Sequence, residues 1–305
     1  MIIGHQKQWA FLSILAKSGN FSHAYLFSGQ EKIGKKTLAL EWLSLLFKQP
    51  IFTNNGIMHP DLSLIEPKEK EIQIAQIREL IWKLSLKPYS APFKAAIIDK
   101  AHSMNEEAQS SLLKTLEEPR GKALLILISE SPQYLLPTII SRVEKIKFYP
   151  AGKKEIKNYL KNKELPEEAK EEISRISCGR LGRAADFISD PQKLKEWEKT
   201  EKELAVILNS DIADKFQYAK ELSQKDNLKE ILEVWLAFFR EKLMLKINPE
   251  SDGKQYGKSS QGLDISKYPL IKIKNILSKI QTINYLIATT NVNTRLILET
   301  FMLDL

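Results

Sequence analysis

The sequence predicts an α/β fold, with a helix-covered parallel sheet in the first half of the chain and helical segments after it. Three observations predict it. Up to about Pro150, short apolar runs alternate with amphipathic helical stretches, the pattern of a parallel sheet covered on both faces. The junction between the first run and the helix after it carries a glycine-lysine loop of the kind that wraps phosphate. Beyond that point no convincing strand or fixed repeat recurs, and the apolar spacing is helical to the end.

In chain order, the expected strands are Tyr25 to Ser28, Leu62 to Ile65, Ala95 to Ile98, Leu124 to Ile128 and Ile146 to Phe148. Helices fall between them. Ile74, Ile77, Ile81 and Leu84 recur at three- and four-residue steps, as do Met104, Ala108, Leu112 and Leu116, so each set makes one apolar stripe. Pro119 is expected to stop the second of these helices after Glu117 and Glu118. At 305 residues the chain is too long for one core to be the default. The expected division is 1–149 for the sheet domain, 150–195 for a small helical unit and 196–305 for a longer one. The turn-forming pair Asp190-Pro191 closes the small unit. Within the last, Asn248 to Tyr268 is rich in Gly, Ser and Lys and reads as a polar loop. Ile276, Ile280, Ile283 and Ile287 then form a stripe, and Asn291 to Asn293 breaks the chain before a final helix.

With 43 % hydrophobic and 28 % charged residues the composition is that of a soluble globular protein. The N-terminal stretch has no long apolar run behind a basic start, and no apolar run is long enough for a membrane span, so neither signal peptide nor span is expected. Cys178 is the only cysteine, which excludes an internal disulfide and a cysteine zinc site and fits a reducing cytoplasm. The net charge of +8 permits phosphate-bearing partners. It is spread along the chain, and Lys153 to Lys163 alternate with Glu155 and Glu164 as on a solvated helix face, so a dedicated DNA-binding module is the weakest class.

Gly29-Gln30-Glu31-Lys32-Ile33-Gly34-Lys35 fits G-x-x-x-x-G-K and lies between an expected strand and an expected helix. In that setting backbone N–H groups wrap a phosphate, the helix N-terminus adds its dipole and Lys35 reaches the outer phosphates. The next position calls for a Ser or Thr hydroxyl on Mg²⁺ and holds Lys36, whose ammonium has no lone pair and repels the metal. Thr37 is one residue late, about 100° round the helix, and is expected to point elsewhere. Ala95 to Asp99 has the form of a buried strand ending in a metal-binding acid, Asp99. Where a water-polarising Glu commonly follows such an acid stands Lys100; losing a general base lowers a rate by on the order of 10²–10⁴. Together the two lysines predict that the chain does not hydrolyse ATP efficiently; no cofactor is required, and binding of ATP or ADP without turnover stays open. An ATP-hydrolysing motor is the alternative.

With these motifs the chain resembles bacterial DNA polymerase III delta-prime subunits, in the clamp-loader branch of the AAA+ proteins. The resemblance rests on Ile3-Gly4-His5, His23 to Gly29, His59-Pro60-Asp61-Leu62, Met104 to Ala108, Leu112 to Pro119, Leu136 to Arg142 and Asn291 to Leu296. It implies a RecA-like domain, a small helical lid and a helical collar that joins a five-membered ring. It also implies the partners: tau/gamma-type ATPase subunits, a delta subunit, and through the assembly the sliding clamp and primed DNA. By the same resemblance Ser141-Arg142 supplies an arginine finger to a neighbour's nucleotide, where a guanidinium is worth on the order of 10³–10⁵ in rate. Arg183 resembles a lid-domain sensor arginine, and Ser129 and Ser131 fall where a polar sensor follows the fourth strand. Many relatives carry a four-cysteine zinc module that Phe47 to Met58 is too short and cysteine-free to hold, so no zinc is expected. His59 and Asp61 lack a third partner nearby in sequence and are expected to fix a loop by hydrogen bonds.

Overall fold

The computed structural model describes residues 4–52, 56, 58–68, 70–118, 121–247, 268–289 and 292–305. Pro119, Asn291 and all of the expected 248–268 loop except Tyr268 lie outside them. The chain divides into two compact units, one of residues 1–163 with 179–183, the other of 164–178 with 184–305.

In the first unit, α1 (Gln6–Ser18) precedes β1 (Ala24–Ser28) and α2 (Lys35–Phe47). β2 (Leu62–Ile65), α3 (Ile74–Ser85), β3 (Lys94–Ile98), α4 (Glu106–Glu117) and β4 (Ala123–Ser129) follow in alternation. A short α5 (Pro137–Ile140), β5 (Glu144–Lys147) and α6 (Lys153–Lys161) complete it. All five strands stand where the apolar runs predict them: β2 matches at both ends and the other four differ by one or two residues at one end or both. They pair in parallel in the order β2-β3-β4-β1-β5, with Ser28 opposite Ser129 and Ile98 opposite Leu127.

Alternation along the strands separates the two cores. Tyr25 and Phe27 of β1, Ala95 and Ile97 of β3, and Leu124, Ile126 and Ile128 of β4 meet α1 and α2 around Trp42. Ala24, Leu26, Ala96, Ile98, Leu125 and Leu127 point the other way, onto Ile77, Leu80 and Leu84 of α3 and Ala108, Leu112 and Leu116 of α4. Met104 extends that stripe from the 3-10 turn Ala101–Ser103, not from the helix itself, because Asn105 caps α4 by accepting the Ala108 N–H at 2.9 Å.

The His59–Asp61 pair is structural. Asp61, 1 % exposed, accepts the N–H groups of Tyr89, Ser90 and Ala91 at 2.7–2.8 Å and pairs with Lys94 at 2.8 Å. His59 accepts the Asp61 N–H at Nδ1 and meets Gln49 at Nε2. Burial raises the Asp61 pKa, and these donors outweigh it, so the carboxyl sits well below its usual range.

In the second unit α7 (Glu167–Ile176) is followed by α8 (Leu181–Ser189), whose first three residues belong to the first unit. α9 (Pro191–Leu208), α10 (Ile212–Leu222), α11 (Leu228–Ile247), α12 (Leu270–Thr289) and α13 (Thr294–Met302) complete the chain. Asp190 caps α9 with Pro191 in its first turn, so the expected turn pair is also a helix start. Trp235 of α11 stacks between Tyr218 of α10 and Phe301 of α13, at 6.3 and 5.7 Å between ring centres. Ile276, Ile280 and Ile283 of α12 are buried, whereas Ile287 is only half-buried. Asn293 caps α13 by accepting the Leu296 N–H, where the sequence places the break.

Candidate functional site

Parallel sheets bind ligands beyond the carboxyl ends of their strands, where connections diverge. Here the carboxyl ends of β1, β3 and β4 open onto a cleft of about 230 Å³. It is lined by residues 31–37 of the glycine-lysine loop apart from Ile33, and by Asp99, Lys100, His102, Ile128, Glu130 and Gly182.

The loop is held from several sides. Gly29 has a φ of +151°, and a Cβ there would meet the Phe148 carbonyl at 2.5 Å, so only glycine lets the loop leave β1 this close to the chain after β5. His5 Nε2 lies 2.8 Å from the Ile33 carbonyl, tying the Gly4-His5 stretch to the loop. On the far side the Gly182 N–H donates to the Lys32 carbonyl at 2.7 Å, and a Cβ on Gly182 would meet that same oxygen at 2.7 Å. Gly34 opens α2 with a φ of +103°, and a Cβ there would meet nothing within 4 Å, so this end of the loop faces open space. Lys35 is only 6 % exposed and donates to the Gly29 and Gln30 carbonyls. Burial pushes its pKa down to about 8, against the pull of Glu130, Asp99 and Glu31.

The structure brings Gly34, Lys35, Lys36, Thr37 and Asp99 into the cleft. Thr37 corrects the sequence expectation: it lies on the cleft wall, because α2 begins only at Lys35 and its whole first turn borders the loop. Arg183 is buried at 3 % exposure and does not line the cleft. The neighbouring Arg180 is the arginine whose charge acts on Lys35.

Both lysines, at the positions expected to hold a metal-ligating hydroxyl and a water-polarising carboxylate, carry partners. Lys36 Nζ lies 2.6 Å from Glu66 Oε1 and 3.8 Å from Asp99 Oδ2. Lys100 pairs with Glu31 at 2.9 Å; burial works against its charge, and that hydrogen bond outweighs it, so its pKa is raised. A divalent ion on Asp99 would stand within a few ångströms of the Lys36 ammonium. At an effective dielectric near 20 that repulsion is several kcal/mol before screening by solvent and salt. The residues present therefore do not fit a metal at this position, whereas the loop and its lysines fit a phosphate chain.

Sequence reasoning missed Glu66, Glu130 and His102. Glu130, at the end of β4, lines the cleft 3.5 Å from His102 Nε2, and Ser129 Oγ lies 3.3 Å from His102 Nδ1. Glu130 immediately follows the expected sensor position Ser129, which was its only signal in the sequence. Glu66 carries none, being thirty residues from Lys36.

Arg142 does not line the cleft. It follows α5, with its guanidinium about one-third exposed, 2.6 Å from Glu117 and donating to the Thr138 carbonyl at 3.0 Å.

This strand order, with a phosphate loop after β1 and an acid after β3, defines a RecA-like P-loop domain of the AAA+ type, here joined to helical segments. Residues 4–152, just under half of the chain, match the family described as DNA polymerase III, delta subunit. Over 149 residues it is 36 % identical to the DNA polymerase III subunit delta' of Pseudomonas aeruginosa, a match covering 44 % of this chain and 45 % of that one. Over 182 residues it is 33 % identical to the subunit delta' of Bacillus subtilis, covering 55 % and 53 %. The chain thus spans about half the length of these curated relatives. A DNA polymerase III subunit tau/gamma of Haemophilus influenzae is 29 % identical over 157 residues, covering 46 % of this chain and 22 % of that one. Among solved structures, a DNA polymerase III gamma subunit-related protein of Thermotoga maritima shares the fold with a TM-score of 0.52 at 20 % identity, over 97 % of both chains.

Proposed function

We propose that this chain is a delta-prime-type subunit of a cytoplasmic DNA polymerase III clamp loader that does not hydrolyse ATP efficiently and lends Arg142 to a neighbouring ATPase subunit. Its partners in this reading are tau/gamma-type ATPase subunits and a delta subunit, and through the assembly the sliding clamp and primer-template DNA. Residues 150–195 serve as a lid and 196–305 as the collar that joins the ring. No zinc is required, and nucleotide is held without being turned over.

The observation that carries the reading is the Lys36 ammonium beside Asp99, where a hydrolysing site needs a metal and its hydroxyl ligand. Arg142 supports the second half of the proposal. The Arg142 guanidinium, about one-third exposed, has Glu117 as its charged partner and can exchange it for a phosphate across a subunit boundary at little cost, since pairs open to solvent are worth about 0–1 kcal/mol. A motor of tau/gamma type is the second reading, favoured by the well-formed loop and by the Glu130 carboxylate in the cleft.

Steady-state ATP hydrolysis by the chain alone, by its tau/gamma-type partner alone and by the assembled loader with clamp and primed DNA separates the two. The expected result is background turnover by the isolated chain, and a clear loss of loader turnover on Arg142→Ala with assembly intact. Robust turnover by the isolated chain, abolished by Lys35→Ala, would establish the motor reading instead.

A further inference from the structure

We infer that the cleft takes a nucleoside di- or triphosphate without a divalent cation, the Lys36 and Lys100 side chains standing in for the metal. The inference rests on the reading above that the loop retains nucleotide.

Charge is the first argument. The titratable groups lining the cleft are four lysines, Lys32, Lys35, Lys36 and Lys100, and three carboxylates, Glu31, Asp99 and Glu130, with His102 beside them. Counting His102 as neutral, that is a net charge of +1. With a threonine and a glutamate in place of Lys36 and Lys100, two lysines would face four carboxylates. The resulting charge of −2 repels a polyphosphate until a divalent ion cancels it. The two substitutions therefore move the cleft by three charges, from one that needs a metal to one that attracts the anion directly.

Geometry is the second. Lys36 Nζ lies 3.8 Å from Asp99 Oδ2, within the space a metal held by that carboxylate would share with its own ligands. Glu66, at 2.6 Å, fixes the amine from the other side and leaves two of its three protons for further acceptors. Lys100 is similarly anchored by Glu31, a residue of the loop itself. Both ammonium groups are thus held at the rim of the loop before any ligand arrives, which lowers the entropy lost on binding. The cleft is smaller than the ~300 Å³ at which ordinary ligand pockets begin. It suits the phosphate chain, with the nucleoside beyond its rim.

The test is equilibrium binding of ADP and ATP to the full chain by titration calorimetry, in MgCl₂ and in EDTA. Wild-type affinity should differ by no more than about twofold between the two conditions. Lys36→Thr with Lys100→Glu should lose about tenfold or more in EDTA and recover it in Mg²⁺. The single variant Lys36→Met, on a half-buried rim position, should lose affinity that Mg²⁺ does not restore, and thermal melts should show both variants folded. A tenfold or larger loss for the wild type in EDTA, a double variant indifferent to Mg²⁺, or no saturable binding in either buffer would overturn the inference. Loader turnover with Arg142→Ala reads a different residue in the assembled complex, so failure of the subunit assignment and failure of metal-free binding are told apart.

Discussion

Replacing Arg175 by methionine should unfold the helical unit more readily, and more so at neutral than at acidic pH. The side chain of Arg175, on α7, is 7 % exposed and reaches three carboxylates: Glu172 at 2.5 Å, Glu201 of α9 at 2.8 Å and Glu241 of α11 at 2.7 Å. Burial works against its charge, but the bonds to Glu172 and Glu201 outweigh it and hold the guanidinium above the usual arginine range. Glu201 is 3 % and Glu241 13 % exposed at their side chains, so both would be left buried without the guanidinium, with Lys242 nearby. Breaking a buried pair by removing one partner destabilises by about 3–5 kcal/mol.

The pH dependence follows from Glu241, whose pKa burial already raises against the pull of Arg175. Without the guanidinium it rises further, so the folded variant keeps a proton that the unfolded chain has released. Its contribution to stability is present at acid pH and is lost as the pH climbs through the folded pKa. Urea unfolding followed by tryptophan fluorescence at about pH 5 and about pH 7.5 should show the variant's deficit shrinking by about 1 kcal/mol or more at the lower pH. Hydrogen exchange should place the loosening in α7, α9 and α11. A deficit below about 1 kcal/mol at neutral pH, or one equal at both pH values, would refute the reasoning.

Asp61→Ala should cost about 3–5 kcal/mol, because it strands the buried Ala91 N–H, the part-buried Tyr89 and Ser90 N–H groups and the Lys94 ammonium. Since the Asp61 pKa is depressed, its contribution is full above the ordinary carboxylate range and fades as pH falls through the folded value, so acid unfolding curves of wild type and variant should converge. Lys35 titrates at about 8 when folded against 10.5 ordinarily, so the unfolded chain binds more protons in that interval and this residue's contribution to stability increases as pH rises across it. Lys35→Met should abolish that rise, read as urea midpoints from neutral to alkaline pH; a rise that survives the substitution would show that another group causes it.

Much of the sheet domain was legible because its signals are local. A strand whose apolar residues face both sides of the sheet and a glycine-lysine loop between strand and helix are each specified within a few residues. The lysines at 36 and 100 were legible as departures for the same reason, since each sits one position after a residue with a defined task. What each lysine does there was not legible. Glu66 reaches Lys36 from the end of a different strand, and Glu130 enters the cleft only because β4 lies between β3 and β1 in the sheet. Thr37 depended on where α2 begins, a boundary that the loop's own geometry sets.

The sequence by itself determined the strands, the helices and the phosphate loop, because period, turn chemistry and burial act over a turn or a strand at a time. Only the tertiary structure decided the charge of the cleft and the partners of Arg175. Coulombic and hydrogen-bonding energies depend on distance through space, and the residues that set them stand 26 and 66 positions apart at Arg175 and thirty apart at Lys36.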